Sequence, residues 1–256
     1  MLRRAAPYAA ATLLLILAFS AVVHAYARSL IYPGSPVPFP PGAPVVSYTA
    51  ADGQPLRGAL VRSGREGAPA VLYFHGNAES AAQNLPLAEL LAARGIDTFL
   101  AEYRGYGGLT GKPTEEGLLA DAAAARRALG VPPERLVIVG RSLGTGPAVA
   151  LATRERCAHL VLISPYTSLV DMGRLMVGPV ASLLMPDRFD SLSLAPSLTF
   201  PVTIVHGTHD QVIPYAMGQR LAKAIPGARL VTLACGHNDI PGLPEILIAA
   251  AADRKS

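Results

Sequence analysis

The chain has 256 residues, of which 51% are hydrophobic and 16% charged, and its formal net charge is +4. This composition is sufficient for one full domain with short appendages. The basic residues form no run and are not interleaved with aromatic residues, so a nucleic-acid partner is not expected. Cys157 and Cys235 belong to no CxxC motif or His/Cys cluster, so neither a metal site nor redox chemistry is expected.

The amino-terminal segment is strongly apolar. Residues 5–27 contain no Asp, Glu, Lys or Arg, and a helix of that length spans about 34 Å, enough for a bilayer core of about 30 Å. Two arginines precede the segment and one follows it, which favours a cytoplasmic N-terminus and an exoplasmic or periplasmic domain. We expect residues 1–28 to be a single-pass membrane anchor. The alternative is a cleaved signal peptide and secretion, because Ala25-Tyr26-Ala27 has the form of a cleavage site.

A proline-rich linker is predicted over residues 29–44. Six of the thirteen residues in Tyr32–Pro44 are prolines. Such a segment is stiff and extended, and we expect it to hold the folded domain away from the anchor. The domain itself is predicted over residues 45–256.

From residue 45 onward, short apolar runs alternate with helical patterns. Val45–Ala50 and Leu56–Ser63 enclose Asp52-Gly53 and predict an antiparallel pair. Further strands are predicted at Ala70–Phe74, Asp97–Tyr103, Leu136–Val139, Leu160–Ile163, Pro201–Val205 and Arg229–Leu233. Helices are predicted near Glu79–Ala93, Thr114–Leu129, after Gly144 to Arg154, near Tyr215–Ile225 and after Pro241. The alternation predicts an α/β fold with a mostly parallel sheet flanked by helices, and ligands bound beyond the strand carboxyl ends.

The sequence Gly140-Arg141-Ser142-Leu143-Gly144 lies between a predicted buried strand and a predicted helix. Glycines on both sides of Ser142 allow the strand and helix to approach closely. Such a turn exposes the serine hydroxyl and directs helix N–H groups at its target, as in a nucleophile elbow. The alternative is a glycine-rich turn with an incidental serine.

A serine nucleophile needs a base, and the base needs an orienting carboxylate. Of the six histidines, His237 follows the last predicted strand in a turn that returns over the sheet. Among the acids between Ser142 and His237, only Asp210 comes just past a strand carboxyl end. We therefore predict a catalytic triad of Ser142, Asp210 and His237.

Hydrolysis by such a triad also needs donors for the negative charge that develops on the carbonyl oxygen. The backbone N–H of Leu143 directly follows the nucleophile. The turn after Ala70–Phe74 supplies a second donor, which we assign to the backbone N–H of Asn77.

Five motifs occur together in the chain: His75–Glu79, Tyr103–Gly107, Gly111–Leu118, Gly140–Gly144 and Gly236–Asp239. In combination they resemble one branch of the α/β-hydrolases, the bud-emergence-like group of membrane-anchored serine hydrolases, which is related to protein depalmitoylases. The resemblance covers about residues 45–250. It implies an α/β-hydrolase fold and ester or thioester hydrolysis without metal or cofactor, by Ser142, Asp210 and His237. Two departures, Glu102 where Asp is usual and Leu109-Thr110 within a glycine-rich loop, concern the shape of the substrate site.

Residues 165–198 interrupt the strand and helix alternation, where this fold commonly inserts a lid. The segment is rich in Leu, Val and Met, so it is either a wall of an acyl-chain site or a helix packed on the core. The predicted activity is that of a carboxylesterase or thioesterase on a small-molecule or lipid-linked ester, acting as a monomer. The alternatives are a membrane-anchored binding protein that retains the fold without catalysis, and a peptidase or amidase with the same triad.

Overall fold

The structure is a computed structural model that describes residues 18, 21–24 and 26–253. The predicted membrane anchor lies mostly outside these residues. Within them, no helix is both long enough and apolar enough to cross a membrane. The predicted single-pass membrane localisation is therefore contradicted.

From residue 45 to residue 253, the structure has eight strands and eight α-helices. The strands are β1 (Val45–Thr49), β2 (Pro55–Val61), β3 (Ala70–Phe74), β4 (Asp97–Ala101), β5 (Leu136–Arg141), β6 (His159–Ile163), β7 (Val202–Gly207) and β8 (Arg229–Leu233). The helices are α1 (Leu85–Ala93), α2 (Glu115–Leu129), α3 (Thr145–Ala152), α4 (Leu169–Val177), α5 (Ala181–Leu184), α6 (Ser191–Leu194), α7 (Tyr215–Ala224) and α8 (Leu243–Ala252).

The strands form one sheet in the order β1-β2-β4-β3-β5-β6-β7-β8. β1 and β2 pair antiparallel, β2 also pairs antiparallel with β4, and all other pairs are parallel. The predicted fold class is thus confirmed. Because β5 is central, with β3 and β6 as its neighbours, the loops after these strands meet at one edge of the sheet.

The sheet separates two hydrophobic cores, as the side-chain alternation of a strand requires. In β3, Leu72 and Phe74 belong to one core, and Val71 and Tyr73 to the other. Helices α2, α3 and α7 cover the first face, and α1 and α8 cover the second. Full burial of a large apolar side chain contributes about 1.5–3 kcal/mol, so this two-sided covering fixes the strand ends that carry the site.

The proline-rich segment packs on the domain instead of standing clear of it. Tyr32 is 6% exposed and belongs to the first core, and Ser35 is buried. The Ser35 carbonyl accepts a hydrogen bond from the Gly107 amide at 2.8 Å. Asp187, itself buried, accepts hydrogen bonds from the Arg28 side chain at 3.3 Å and the Glu115 amide at 3.0 Å. The expectation of a spacer was wrong, because an extended proline-rich chain can also lie along a surface and bury an aromatic side chain.

Residues 165–198 contain three short helices, α4, α5 and α6. Ser168 caps the start of α4, and its hydroxyl accepts a hydrogen bond from the Asp171 amide. One side of α4 is buried through Leu169 and Val170, which pack inward. Its end is exposed and apolar: Leu175, Met176 and Val177 are 60%, 72% and 55% exposed, followed by Val180 at 45%.

Candidate active site

The turn after β5 holds Ser142 in a strained backbone conformation. Ser142 has φ of 50°, in the left-handed region that costs an L-residue about 1–2 kcal/mol. The flanking glycines are required by space: a Cβ on Gly140 would lie 2.5 Å from the Gly144 carbonyl oxygen, and one on Gly144 would lie 2.2 Å from the Phe74 carbonyl oxygen. The Thr145 hydroxyl donates to the Ser142 carbonyl at 2.7 Å. Local strain of this kind is typical of a functional turn.

The structure brings Ser142, His237 and Asp210 together from three loops. His237 Nε2 lies 3.0 Å from Ser142 Oγ, and His237 Nδ1 lies 2.7 Å from Asp210 Oδ2. An ionised carboxylate only accepts hydrogen bonds, so Nδ1 carries the proton and Nε2 of the neutral ring accepts the serine O–H. The arrangement can remove the serine proton as the hydroxyl attacks an electrophile.

Asp210 is held by more donors than the triad alone requires. Its Oδ1 accepts hydrogen bonds from the amides of Val212 at 2.9 Å and Ile213 at 2.8 Å. Burial alone would raise the pKa of Asp210, but hydrogen bonds from His206, His237 and the Ile213 amide outweigh burial and hold the pKa well below its ordinary value. The side chain, which has no exposed surface, therefore stays ionised.

His206, at the end of β7, is the partner of Asp210 that the sequence did not reveal. Its Nε2 lies 3.3 Å from Asp210 Oδ2 and 2.9 Å from the Ile213 carbonyl oxygen. Both neighbours are acceptors, so Nε2 carries a proton. In the sequence, the turn His206-Gly207 indicated a structural role for His206. Its contact with Asp210 became apparent only from the structure, in which both His206 and His237 lie against that carboxylate.

The loop after β3 brings the predicted second oxyanion donor to the nucleophile. A Cβ on Gly76 would lie 3.6 Å from Ser142 Cβ, so the backbone next to Asn77 passes close to the serine. Among the described residues, hydrogen bonds outside helices and strands include none donated by the Asn77 amide or the Leu143 amide to a backbone carbonyl.

His75 and Glu102 hold the loop that carries Asn77 through buried hydrogen bonds. His75 Nε2 lies 2.8 Å from Glu102 Oε1, and its Nδ1 lies 2.8 Å from the Gly76 carbonyl oxygen. Glu102 Oε2 also accepts a hydrogen bond from the Ala81 amide at 3.0 Å. Both residues are buried, so Glu102 connects the end of β4 to the loop that carries Asn77.

Arg141, the residue before the nucleophile, connects two loops of the site. Its guanidinium donates hydrogen bonds to the Glu79 carboxylate and, at 3.0 Å, to Asn238 Oδ1. Glu79 follows the Asn77 loop, and Asn238 follows His237. The sequence placed Arg141 in the elbow motif but gave no sign of these partners, which are 62 and 97 residues away.

A cavity of about 740 Å³ lies at the opposite edge of the sheet. It is lined by His159 at the start of β6, by Arg229 at the start of β8 and by residues of α8. Parallel strands place their starts and ends at opposite edges, so this cavity is remote from Ser142.

Cys157, near the same edge, and Cys235, beside the His237 loop, are both free thiols.

Comparison with known proteins identifies the family. Residues 69–192 match the family model described as alpha/beta hydrolase fold. The chain is 38% identical to an uncharacterized Mycobacterium tuberculosis protein, MT2364, over 95% of this chain and 90% of that protein. It is 36% identical to human alpha/beta hydrolase domain-containing protein 17C over 76% of this chain, and spans 60% of that protein. The chain therefore belongs to the α/β-hydrolase superfamily and is a hydrolase, as the sequence motifs predict.

Solved structures of low sequence identity share the fold. A Pyrococcus furiosus esterase, PF2001, superposes with a TM-score of 0.67 at 19% identity, covering 87% of this chain and 97% of that one. The Rhodococcus esterase RhEst1 gives a TM-score of 0.64 at 17% identity, covering 83% of this chain and all of that one. At these identities the likeness concerns the fold alone.

Proposed function

We propose that this hydrolase is a serine carboxylesterase or thioesterase that acts through an acyl-enzyme. The observation that carries the proposal is the continuous hydrogen-bonded series from Ser142 through His237 to Asp210, with distances of 3.0 and 2.7 Å. Ser142 is the nucleophile, His237 the general base and Asp210 the residue that orients and stabilises the imidazole. A binding protein that merely retained the fold would not require this series.

In the proposed reaction, His237 Nε2 takes the Ser142 proton as Oγ attacks the acyl carbon. The tetrahedral oxyanion accepts hydrogen bonds from the Leu143 and Asn77 amides. Collapse of this intermediate releases the alcohol or thiol, which takes the proton from His237. Water, activated by the same base, then attacks the acyl-enzyme and releases the carboxylic acid.

The proposed substrate class is an ester or thioester of a medium or long acyl chain. Support comes from residues 165–198, which leave the sheet at the end of β6, next to the strand that carries Ser142. The exposed apolar residues at the end of α4 are available to an acyl chain. Each buried methylene can contribute up to about 0.8 kcal/mol, a few-fold in specificity per carbon.

The nucleophile is tested with a fluorophosphonate probe, which reacts with activated serines. We expect stoichiometric labelling of the wild-type protein and none of Ser142→Ala. Ser164 provides a matched control, because it also follows a parallel strand, has a left-handed φ of 47° and is fully buried. Ser164→Ala should label like the wild type. Full labelling of Ser142→Ala would refute the proposed mechanism.

The substrate class is tested with p-nitrophenyl esters from acetate to palmitate. We expect kcat/KM to rise with chain length, and Met176→Asp to flatten that rise. Leu90→Asp is the control, since Leu90 is also exposed but lies on α1, outside the segment. A preference for acetate that Met176→Asp leaves unchanged would refute the acyl-chain assignment while leaving the esterase mechanism intact.

A further inference from the structure

The side chain of Arg141 lies between the two loops that carry the proposed oxyanion donor and the proposed base. Arg141 is 16% exposed and its ion-pair partner Glu79 is 21% exposed, so the pair is largely shielded from water. Its second partner, Asn238, is the residue next to His237. One guanidinium therefore contacts both loops at once.

The strand geometry explains why Arg141 reaches both loops. Arg141 is the last residue of β5 and has extended backbone angles, φ −117° and ψ 129°. Alternate residues of a strand share a face, so Arg141 follows Val137 and Val139, which belong to the second core. The chain then turns sharply at Ser142. The nucleophile and the arginine are thus fixed by the same strand end.

Glu79 is placed directly against the loop that carries Asn77. A Cβ on Gly76 would lie 3.1 Å from Glu79 Oε1, so the carboxylate packs against the backbone of that loop. Asn84 donates a second hydrogen bond to Glu79 Oε2 at 3.3 Å. The Glu79 carboxylate therefore connects Arg141 to the backbone next to the oxyanion donor.

The loop that carries His237 is held in a similar way. The Gly236 amide donates to Asp239 Oδ1 at 2.9 Å, which closes a turn around His237 and Asn238. The side chain of Asn238 accepts from Arg141 through its oxygen. A shift of the guanidinium would therefore break the connection between Arg141 and the turn next to the base.

We propose that Arg141 is a positioning residue for acylation, which holds the oxyanion loop and the base loop at a fixed separation across Ser142. This inference rests on the proposed serine-hydrolase function. Arg141 touches neither the substrate nor the reacting atoms in this role. Its effect is geometric, and a misplacement of about 1 Å at a reacting centre can lower the rate by about 10²-fold.

The test compares Arg141→Met, which keeps the length of the side chain and removes its charge, with Arg141→Lys. We expect Arg141→Met to lower kcat for p-nitrophenyl octanoate by at least about 10-fold, with KM changed less than about 3-fold. Arg141→Lys keeps one charged donor and should recover part of kcat. The rate of fluorophosphonate labelling should fall in parallel with kcat.

Arg126→Met is the matched control. Arg126 is 11% exposed and pairs with Glu155 at 3.1 Å, on the helical layer away from the site. This variant should lower Tm about as much as Arg141→Met while keeping the wild-type kcat. If both variants lose stability equally and neither loses kcat, Arg141 is only a structural ion-pair residue and the proposal is wrong.

A double-mutant cycle separates positioning from general loosening. Asn238→Ala should lower kcat less than Arg141→Met, and the double variant should be no slower than Arg141→Met, because both remove the same connection. Additive losses would contradict the proposal. Should Arg141→Met not fold, Asn238→Ala and Glu79→Gln carry the test, and wild-type kcat in both would contradict it. Labelling of Ser142→Ala would instead refute the serine-hydrolase function itself.

Discussion

His206 Nε2 lies 3.3 Å from the same Asp210 oxygen that accepts the hydrogen bond of His237. Two imidazoles therefore converge on one carboxylate oxygen, one from the buried end of β7 and one from the loop after β8, whose His237 also contacts Ser142. Because His206 is fully buried, its contact is not weakened by water. Asp210 is thereby oriented from both sides.

Replacing His206 should impair catalysis without abolishing it. His206→Leu removes the N–H that faces Asp210 and the Ile213 carbonyl, and a hydrogen bond to a charged group contributes about 1.5–3 kcal/mol. We expect kcat/KM to fall by about 10-fold or more, and His206→Gln, which keeps an N–H donor, to recover part of it. Steady-state kinetics with urea unfolding of each variant checks this. If His206→Leu and His206→Gln had the same kcat/KM and the same free energy of unfolding, the N–H of His206 would have no role and its ring would only fill space.

Gly218→Ala should perturb the same contact from the other side. A Cβ at this position would lie 2.4 Å from His206 Nδ1, closer than real contacts allow, so the ring must move. We expect lower kcat and lower stability, measured as above. Gly227→Ala is the control, because no atom lies within 4 Å of a Cβ at that position. Gly227 has a positive φ, so this variant introduces backbone strain without a steric contact. Gly227→Ala should keep the wild-type kcat.

The low pKa of Asp210 predicts a pH dependence of stability. Since the folded pKa lies below the ordinary value of 3.8, the ionised carboxylate stabilises the fold fully above that value. This contribution is lost as the pH falls through the folded pKa. We expect Asp210→Asn to be less stable than the wild type at pH 7, with a difference that narrows below about pH 4. Urea unfolding at pH 7, 5, 4 and 3 measures this.

Asp97→Asn separates this stability effect from activity. Burial alone would raise the pKa of Asp97, but hydrogen bonds from Ser63 and Arg62 outweigh burial and lower the pKa. Asp97 lies at the start of β4, at the edge of the sheet away from Ser142. The stability difference between Asp97→Asn and the wild type should also narrow at low pH, while kcat stays at the wild-type value. Asp210→Asn should instead lose about 10³- to 10⁴-fold in kcat. If the difference in unfolding free energy between Asp210→Asn and the wild type stayed constant from pH 7 to pH 3, the low pKa of Asp210 would be contradicted.

The packing of the proline-rich segment predicts that Tyr32 stabilises the domain. Tyr32→Ala removes a ring that is 6% exposed within the first core, and loss of a buried aromatic ring costs about 3–5 kcal/mol. Tyr32→Phe keeps the ring and should cost much less. Thermal and urea unfolding of the full chain measures both. Wild-type stability of Tyr32→Ala would show that the segment does not contribute to the fold.

The sequence predicted best those features that depend on local pattern. The β-branched run Leu136–Val139 lies within β5, and Arg229–Leu233 is β8 without change. The helix predicted over Thr114–Leu129 is α2, which begins one residue later; Thr114 caps it and accepts a hydrogen bond from the Gly117 amide. Strand order placed Asp210 and His237 at the edge of the sheet that carries Ser142. Their catalytic roles stay a prediction until the variants are measured.

Features that depend on distant side chains were not predictable. The contacts of Arg141 with Glu79 and Asn238 join loops far apart in sequence, and no local pattern encodes a guanidinium's choice of partner. Tyr32 and Arg28 likewise bind residues of the domain that the proline-rich composition does not reveal. The membrane placement was inferred from apolar composition, length and the flanking arginines, which carry no information on how the chain packs.

The contacts of Arg141 also restrict how this site can change by mutation. If Glu79 is replaced, the largely buried guanidinium of Arg141 loses its ion-pair partner, and if Arg141 is replaced, the Glu79 carboxylate loses its own. Each single replacement should therefore destabilise the fold more than the replacement of both residues together. Positions 79, 141 and 238 should therefore show epistasis. A library that randomises the three codons together should yield active combinations that a one-position scan rejects, and a loop graft from another hydrolase should succeed only when it brings the matching residues of all three positions.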